Sequence, residues 1–350
     1  MNPIEETNPH RTEISRLGEF GLIDHLTHNI TLVNDSSVKG VGDDAAVLDF
    51  EGFQTLVSVD LLVENVHFDL TYTPLRHLGY KAVAVNISDI VAMNAEPQQI
   101  VVGLAVSNRF PIEAIEEIYD GIKMACKRYK VDLVGGDTTS STSGMFISVT
   151  VIGRAKAEDI CYRKGAQVGD LLCVSGDLGA AYMGLLLLER EKAAFKANPD
   201  VQPDLEGYDY VLERQLKPEP RTDITKLLKE HDIRPTSMID ISDGLASEIL
   251  HLCKASNVGC RIFEDKIPFD PVTLNTADLF EMIPAIAALN GGEDYELLFT
   301  IRQSDFEKMR KIKEISIIGH ITADVNHAEM VTNDNQMIEL TAQGWDALKR

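Results

Sequence analysis

Residues 237–255, SMIDISDGLASEILHLCKA, decide the fold class. Residues 237–241 form an apolar run of strand length around one carboxylate, and residues 245–255 read as a helix. Between them lies an acidic turn in which Asp243 is placed as the helix N-cap. A buried strand, a polar turn and a helix make one unit of an α/β or α+β architecture.

Similar punctuation extends in both directions. Residues 171–174 read as a strand followed by the tight turn SGDLG and a helix over 180–190, and a further helix is expected near 222–230. Strands at 295–301 and 315–318 close the C-terminal half. In the N-terminal half, residues 54–60 alternate with period two, placing Leu56, Ser58 and Asp60 on one face. Leu78, Ala82, Val85, Asp89 and Met93 recur near helical spacing after Pro74, residues 112–130 suit a second amphipathic helix, and residues 145–152 (MFISVTVI) suit a strand. Residues 189–221 turn polar and hold four prolines, the composition of an exposed connection or small insertion. Two domains are expected, 1–157 and 158–350, as the length of 350 residues suggests.

Acidic residues outnumber basic ones 55 to 33, a formal charge of −22. With no basic patch to offset it, this field repels nucleic acids and anionic lipids, so neither is an expected partner. Apolar runs fall far short of the roughly 20 residues that span a bilayer. The opening MNPIEETNPHR lacks the charge pattern of a signal peptide, so a cytoplasmic location is expected. The five cysteines include no CxxC pair and fit buried, reduced thiols.

Carboxylates recur beside glycines in GVGDDAA (40–46), LVGGDTTSS (133–141), MIDISDG (238–244) and NGGEDYEL (290–297), at the ends of the expected strands. Asp60 ends another strand, and Asp89 follows Asn86 on a helix. Any one such Asp is ordinary turn chemistry. Converging, they would make an oxygen-rich site for a hard cation such as Mg²⁺; dispersed, they are a solvated acidic surface. GVGDDA fits a dinucleotide fingerprint only formally, since two carboxylates would face the pyrophosphate. No P-loop and no protein-kinase motif is present. SGDLG is either a phosphate-cradling turn or a plain βα turn. His67 and Trp345, the latter the lone tryptophan, are each open to a packing or a ligand-contact reading.

In order, GEFGLI (18–23), GVGDDAAVL, SVDLLVENVHF, YKAVAVNISDIVAMNAEP, LVGGDTTS, YRKGAQVGD, IDISDGL, NGGEDYELLFT and a late GW closely resemble the thiamine-monophosphate kinase family. That family sits in the superfamily of aminoimidazole ribonucleotide synthetase and selenophosphate synthetase. The resemblance implies an aminoimidazole ribonucleotide synthetase-like α/β (α+β) fold whose N-terminal domain dimerises and binds ATP and metal. It implies transfer of the ATP γ-phosphoryl group to thiamine monophosphate with several Mg²⁺ ions. By the same resemblance the metal ligands are Asp44, Ser58, Asp60, Asp89, Asp137, Asp240 and Asp243. Nucleotide contacts are Tyr119, Gly136, Asp137, Arg163 and Ser242, and substrate contacts are His67, Glu293 and Trp345. Val59 stands where relatives often carry Thr, which removes a hydroxyl ligand. The acceptor phosphate is already ionised near neutrality, its second pKa being about 6, so no general base is expected. Another acceptor within the superfamily, or a non-catalytic nucleotide- or cation-binding module, are the alternatives. The absence of Cys from the first 50 residues and from the C-terminus speaks against the selenophosphate and hydrogenase-maturation branches.

Overall fold

In the computed structural model, residues 37–39, 42–50, 52–107, 110–200, 202–325 and 327–343 are described. The N-terminal half builds a six-stranded sheet from β1 (Ser37–Lys39), β2 (Ala46–Phe50), β3 (Phe53–Val63), β4 (Glu96–Val106), β5 (Asp132–Ser140) and β6 (Phe146–Ala155). Its order is β1-β2-β3-β6-β4-β5, antiparallel except for the β4/β5 pair. Alternation sorts its two faces. Leu56, Leu62, Ile100, Val102, Ile147 and Val149 are buried, whereas Val59 and Leu61 are 58% and 51% exposed.

The inner face carries α1 (Leu75–Ala92), with α2 (Ile112–Tyr129) crossing over it. Helix α1 is buried on nearly every side, as befits a helix with little amphipathic bias enclosed by the sheet, α2 and the second half of the chain. The crossing is close because glycines meet backbone: a Cβ on Gly79 would sit 1.9 Å from the Ile118 carbonyl oxygen, and one on Gly121 1.9 Å from that of Arg76.

The C-terminal half holds β7 (Leu171–Ser175), α3 (Ala180–Ala197), α4 (Asp209–Leu216), α5 (Thr222–Glu230), β8 (Ser237–Asp240) and α6 (Leu245–Ser256). It continues through β9 (Gly259–Phe263), α7 (Pro271–Leu279), α8 (Pro284–Asn290), β10 (Leu297–Ile301), β11 (Ile315–Thr322), β12 (Ala328–Val331) and β13 (Met337–Glu339). These strands form a seven-stranded sheet ordered β13-β12-β9-β11-β7-β10-β8, in which only β12/β9 is parallel. The apolar core crosses between halves: Met238 and Phe299 share a cluster with Ile87 and Ile90 of α1. All five cysteines are buried and unpaired. Among the described residues no single helix is long and apolar enough to cross a membrane.

Three expectations need correction. Residues 189–221 are no mere exposed connection: they begin inside α3 and include α4, whose Val211 is fully buried. The glycines of LVGGDTTS lie within β5 and not beyond a strand end, because backbone pairing with β4 needs no side chain. Asp243 does not cap α6; Gly244, at φ 107°, takes that place without a side-chain cap.

Candidate active site

Three elements far apart in sequence deliver the central carboxylates. Asp44 precedes β2, Asp89 sits in the last turn of α1, and Asp240 ends β8, yet their oxygens lie within 4.8 Å of one another. Hydroxyls steady two of them: Ser58 Oγ donates to Asp89 Oδ2 at 2.5 Å, and Ser88 Oγ to Asp240 Oδ2 at 2.5 Å. The Asp60 amide donates to Asn86 Oδ1 at 2.9 Å, tying β3 to α1 beside them. Ser58 is thus committed to a carboxylate as well as available to a cation.

Like charges held this close in a dry site resist ionisation. Burial, then the neighbouring Asp44 charge, pushes the Asp240 carboxyl up to about 7. Burial followed by Asp60 and Asp240 holds Asp89 well above the ordinary carboxylate range, and burial with Asp44 raises Asp43 to about 6. A divalent cation held among them would offset this repulsion. The donor set is all oxygen, which suits Mg²⁺ better than a softer metal. Arg163 lies across the cluster, donating through Nε and Nη2 to Asp44 at 3.0 and 2.8 Å. Glu248 of α6, buried and shifted upward by burial and by Asp243, accepts the Asp243 amide at 3.2 Å. Sequence reading passed Glu248 over.

A cleft of about 580 Å³ opens from this cluster between the halves. Asp60, Asp89, Asp240, Ser242 and Asp243 line it together with His67 and Glu293. Arg163 meets the same cluster through Asp44. His67 Nδ1 accepts the Val63 amide at 3.0 Å, which leaves Nε2 as the donor of the neutral ring, and burial lowers its pKa. Lys81, Gln215 and Tyr72 also line the cleft and were not singled out from the sequence. The available signal for Lys81 was an ammonium flanked by the apolar residues Tyr80 and Ala82–Val85 of its helix.

Gly136 and Asp137 lie on the exposed edge strand β5 and do not line this cleft. A Cβ on Gly136 would come 2.1 Å from the Val102 carbonyl oxygen, so the glycine is required by the strand pairing itself. Tyr119 packs from α2 against the core and is likewise outside the cleft lining. Val59 points to the sheet's open face, away from Ser58 and Asp60. Trp345 and residues 18–23 lie outside the described residues.

The phosphate-cradle reading of SGDLG is overturned. The Gly179 amide at the start of α3 donates to Asp294 Oδ2 at 2.8 Å, so a protein carboxylate already occupies that helix start. A second, larger cavity of about 790 Å³ adjoins the same turn and holds Arg128, Arg214, Lys217 and Arg221. Each of these cations has an acidic partner, Glu219, Glu296, Glu213 and Asp223 respectively, at 2.6 to 3.1 Å. That cavity is an ion-paired seam between the halves.

Fold and site together define a class: a two-sheet α/β protein that gathers carboxylates from both halves around an interior cleft. The AIR synthase related protein N-terminal domain pattern matches residues 42–155, its C-terminal counterpart matches residues 167–331, and the chain belongs to that family. Among individual proteins it is similar to the thiamine-monophosphate kinase of Bacillus subtilis, 34% identical over 341 residues that span 95% of this chain and 100% of the relative. The thiamine-monophosphate kinase of Haemophilus influenzae is 36% identical over 342 residues, covering 95% and 98%. A solved structure described as AaThiL complexed with AMPPCP and TMP superposes with a TM-score of 0.81 at 30% identity, covering 97% of this chain and 99% of that one. Hydrogenase maturation protein HypE in complex with ATP shares the fold, with a TM-score of 0.67 at 19% identity and coverage of 96% and 99%.

Proposed function

We propose that this protein is a kinase that transfers the γ-phosphoryl group of ATP to thiamine monophosphate, giving ADP and thiamine diphosphate. The observation that carries the reading is the meeting of Asp44, Asp89 and Asp240 within 4.8 Å, in a chain similar along its length to thiamine-monophosphate kinases. Phosphoryl transfer asks a protein mainly to position two anions and offset their charge. Acidic side chains alone would repel both phosphates, so the site requires divalent cations. Asp44, Ser58, Asp60, Asp89, Asp137, Asp240 and Asp243 are assigned as the residues that would hold Mg²⁺, which would supply positive charge to offset that of the phosphates.

The chain's own residues do the rest. Arg163, held by Asp44, presents a fixed positive charge to the nucleotide. Ser242 is the assigned nucleotide contact that lines the cleft, whereas Gly136, Asp137 and Tyr119 lie outside its lining and are assigned to the nucleotide on the family resemblance alone. His67 offers Nε2–H at the acceptor end, Glu293 offers a carboxylate, and Trp345 is assigned as a stacking surface. No side chain needs to remove a proton, because the attacking phosphate is already ionised.

We assign the chain two working halves, 1–157 and 158–350, and a homodimer formed through the open face of the N-terminal sheet. In support, Val59 and Leu61 expose apolar side chains in register on that face and Val134 is 59% exposed on β5. The cytoplasm suits five unpaired thiols.

Purified protein given MgATP and thiamine monophosphate should form thiamine diphosphate, and chelation of divalent cations should stop it. Asp240→Asn should lower turnover by roughly 100-fold or more, the scale of losing a group that orients transition-state charge, while remaining folded by circular dichroism. Failure of the wild type to make product at any Mg²⁺ concentration would refute the reading. MgATP-dependent thermal stabilisation without turnover would indicate a binding module, and ADP release with a different acceptor another branch of the superfamily.

A further inference from the structure

Resting on the kinase reading, we infer that Lys81 and Gln215 are positioning residues that fix Glu293 for recognition of the amino or cationic part of the acceptor. Three independent features lead there.

Glu293 has φ 60°, a left-handed backbone that an ordinary side chain adopts at a cost. It is locked into that conformation by its amide, which donates to the Ser242 carbonyl oxygen at 2.6 Å. The loop that bears the assigned nucleotide contact therefore also sets the direction in which Glu293 leaves the backbone.

Lys81 is the second feature. Its side chain is only 4% exposed, in the middle of the buried helix α1. An unpaired ammonium there would be strongly unfavourable, and a packed apolar residue would serve stability at least as well as an ion pair. The ammonium donates to Glu293 Oε2 and, at 3.0 Å, to the Gln215 carbonyl oxygen.

Gln215 is the third. It projects from α4, within the polar stretch that the motifs leave without a role, and its Nε2 donates to the same Glu293 Oε2 at 3.1 Å. Two donors from distant segments thus converge on one oxygen of one carboxylate. Among the described residues no hydrogen bond reaches the other oxygen, Oε1, and Glu293 lines the cleft. A carboxylate accepts hydrogen bonds and attracts cations but donates nothing when ionised. The groups it selects on thiamine monophosphate are the aminopyrimidine N–H donors and the permanently charged thiazolium, not the phosphate. This arrangement also gives residues 189–221 a role, since α4 closes the acceptor end by reaching across to α1.

A positioning role differs from simple bracing in what it changes. Lys81→Met should raise KM for thiamine monophosphate about tenfold or more, the scale of a lost charge-assisted hydrogen bond, with KM for ATP within about twofold of wild type. In a Glu293→Gln background the same substitution should add little, because the group that Lys81 orients is already altered. Gln215→Leu should move acceptor KM in the same direction by a smaller factor, and it answers the question if Lys81→Met fails to fold. Unchanged acceptor KM in both single variants, equal rises in both KM values, or full additivity with Glu293→Gln would overturn the inference. Failure of the wild type to use thiamine monophosphate would instead refute the kinase reading itself.

Discussion

Asp294 is 1% exposed and faces inward, next to Glu293, which faces the cleft. Burial pushes its carboxyl up to about 7 from 3.8, against the opposing pull of Arg214 and the Gly179 amide. The folded chain therefore retains a proton that the unfolded chain releases, so this group's contribution to stability falls as pH rises from about 4 to about 7. Asn cannot ionise and still accepts the Gly179 amide. Asp294→Asn should flatten that part of the stability profile, an effect on the order of a few kcal/mol at most above neutrality. Thermal unfolding of both forms across the range checks it, and parallel profiles would count against it. Residues of this kind show what one sequence yields. The cluster acids were readable because carboxylate chemistry is written in the residue type and the neighbouring glycines. Lys81 was not, since its meaning comes from a partner 212 positions away.

Elements were readable where side-chain periodicity reports burial. Helix α1 emerged from its spacing, and β3 from the alternation of residues 54–60, although the strand runs on through the unbroken apolar residues Leu61–Val63. Strand β5 was hidden because glycines and exposed polar groups resemble a turn, while its order comes from pairing with β4. Helix α4 was hidden by flanking prolines, with its buried side resting on Val211 and Gln215. The crossing of α1 and α2 gives the sharpest test at this scale. Gly121→Ala must separate two backbones or bend a helix, so it should destabilise the protein by roughly 1–3 kcal/mol or more, read as a lower urea midpoint. Activity should fall with it, because α1 carries Asp89 and Lys81. A variant of wild-type stability would mean that the helices separate at little cost.

At the scale of the whole molecule, the two sheets are joined by a shared core and by the ion-paired seam. Glu219 accepts from Tyr80 at 2.8 Å and from Arg128 at 2.6 Å, which fastens the segment after α4 to both N-terminal helices. Pairing of two such molecules through the open sheet face has a direct test: a carboxylate at the centre of that face meets its own copy across a two-fold axis. Val59→Asp should shift sedimentation to the monomer, while Leu56, on the opposite face, is buried whether or not the chain pairs. A wild-type chain that sediments as a monomer would remove the dimer. The overall class was readable from ordered motifs, but the cleft between halves was not, since no local pattern states which loops will meet.

The separation of the three cluster acids along the chain bears on synthesis. Asp44 and Asp89 leave the ribosome well before Asp240, and Ser88 must wait for a partner 152 residues downstream. A nascent chain with only its first sheet folded has two of the three carboxylates and no means of assembling the full cation site. The cluster is thus complete only in a polypeptide whose second sheet has been made and has docked.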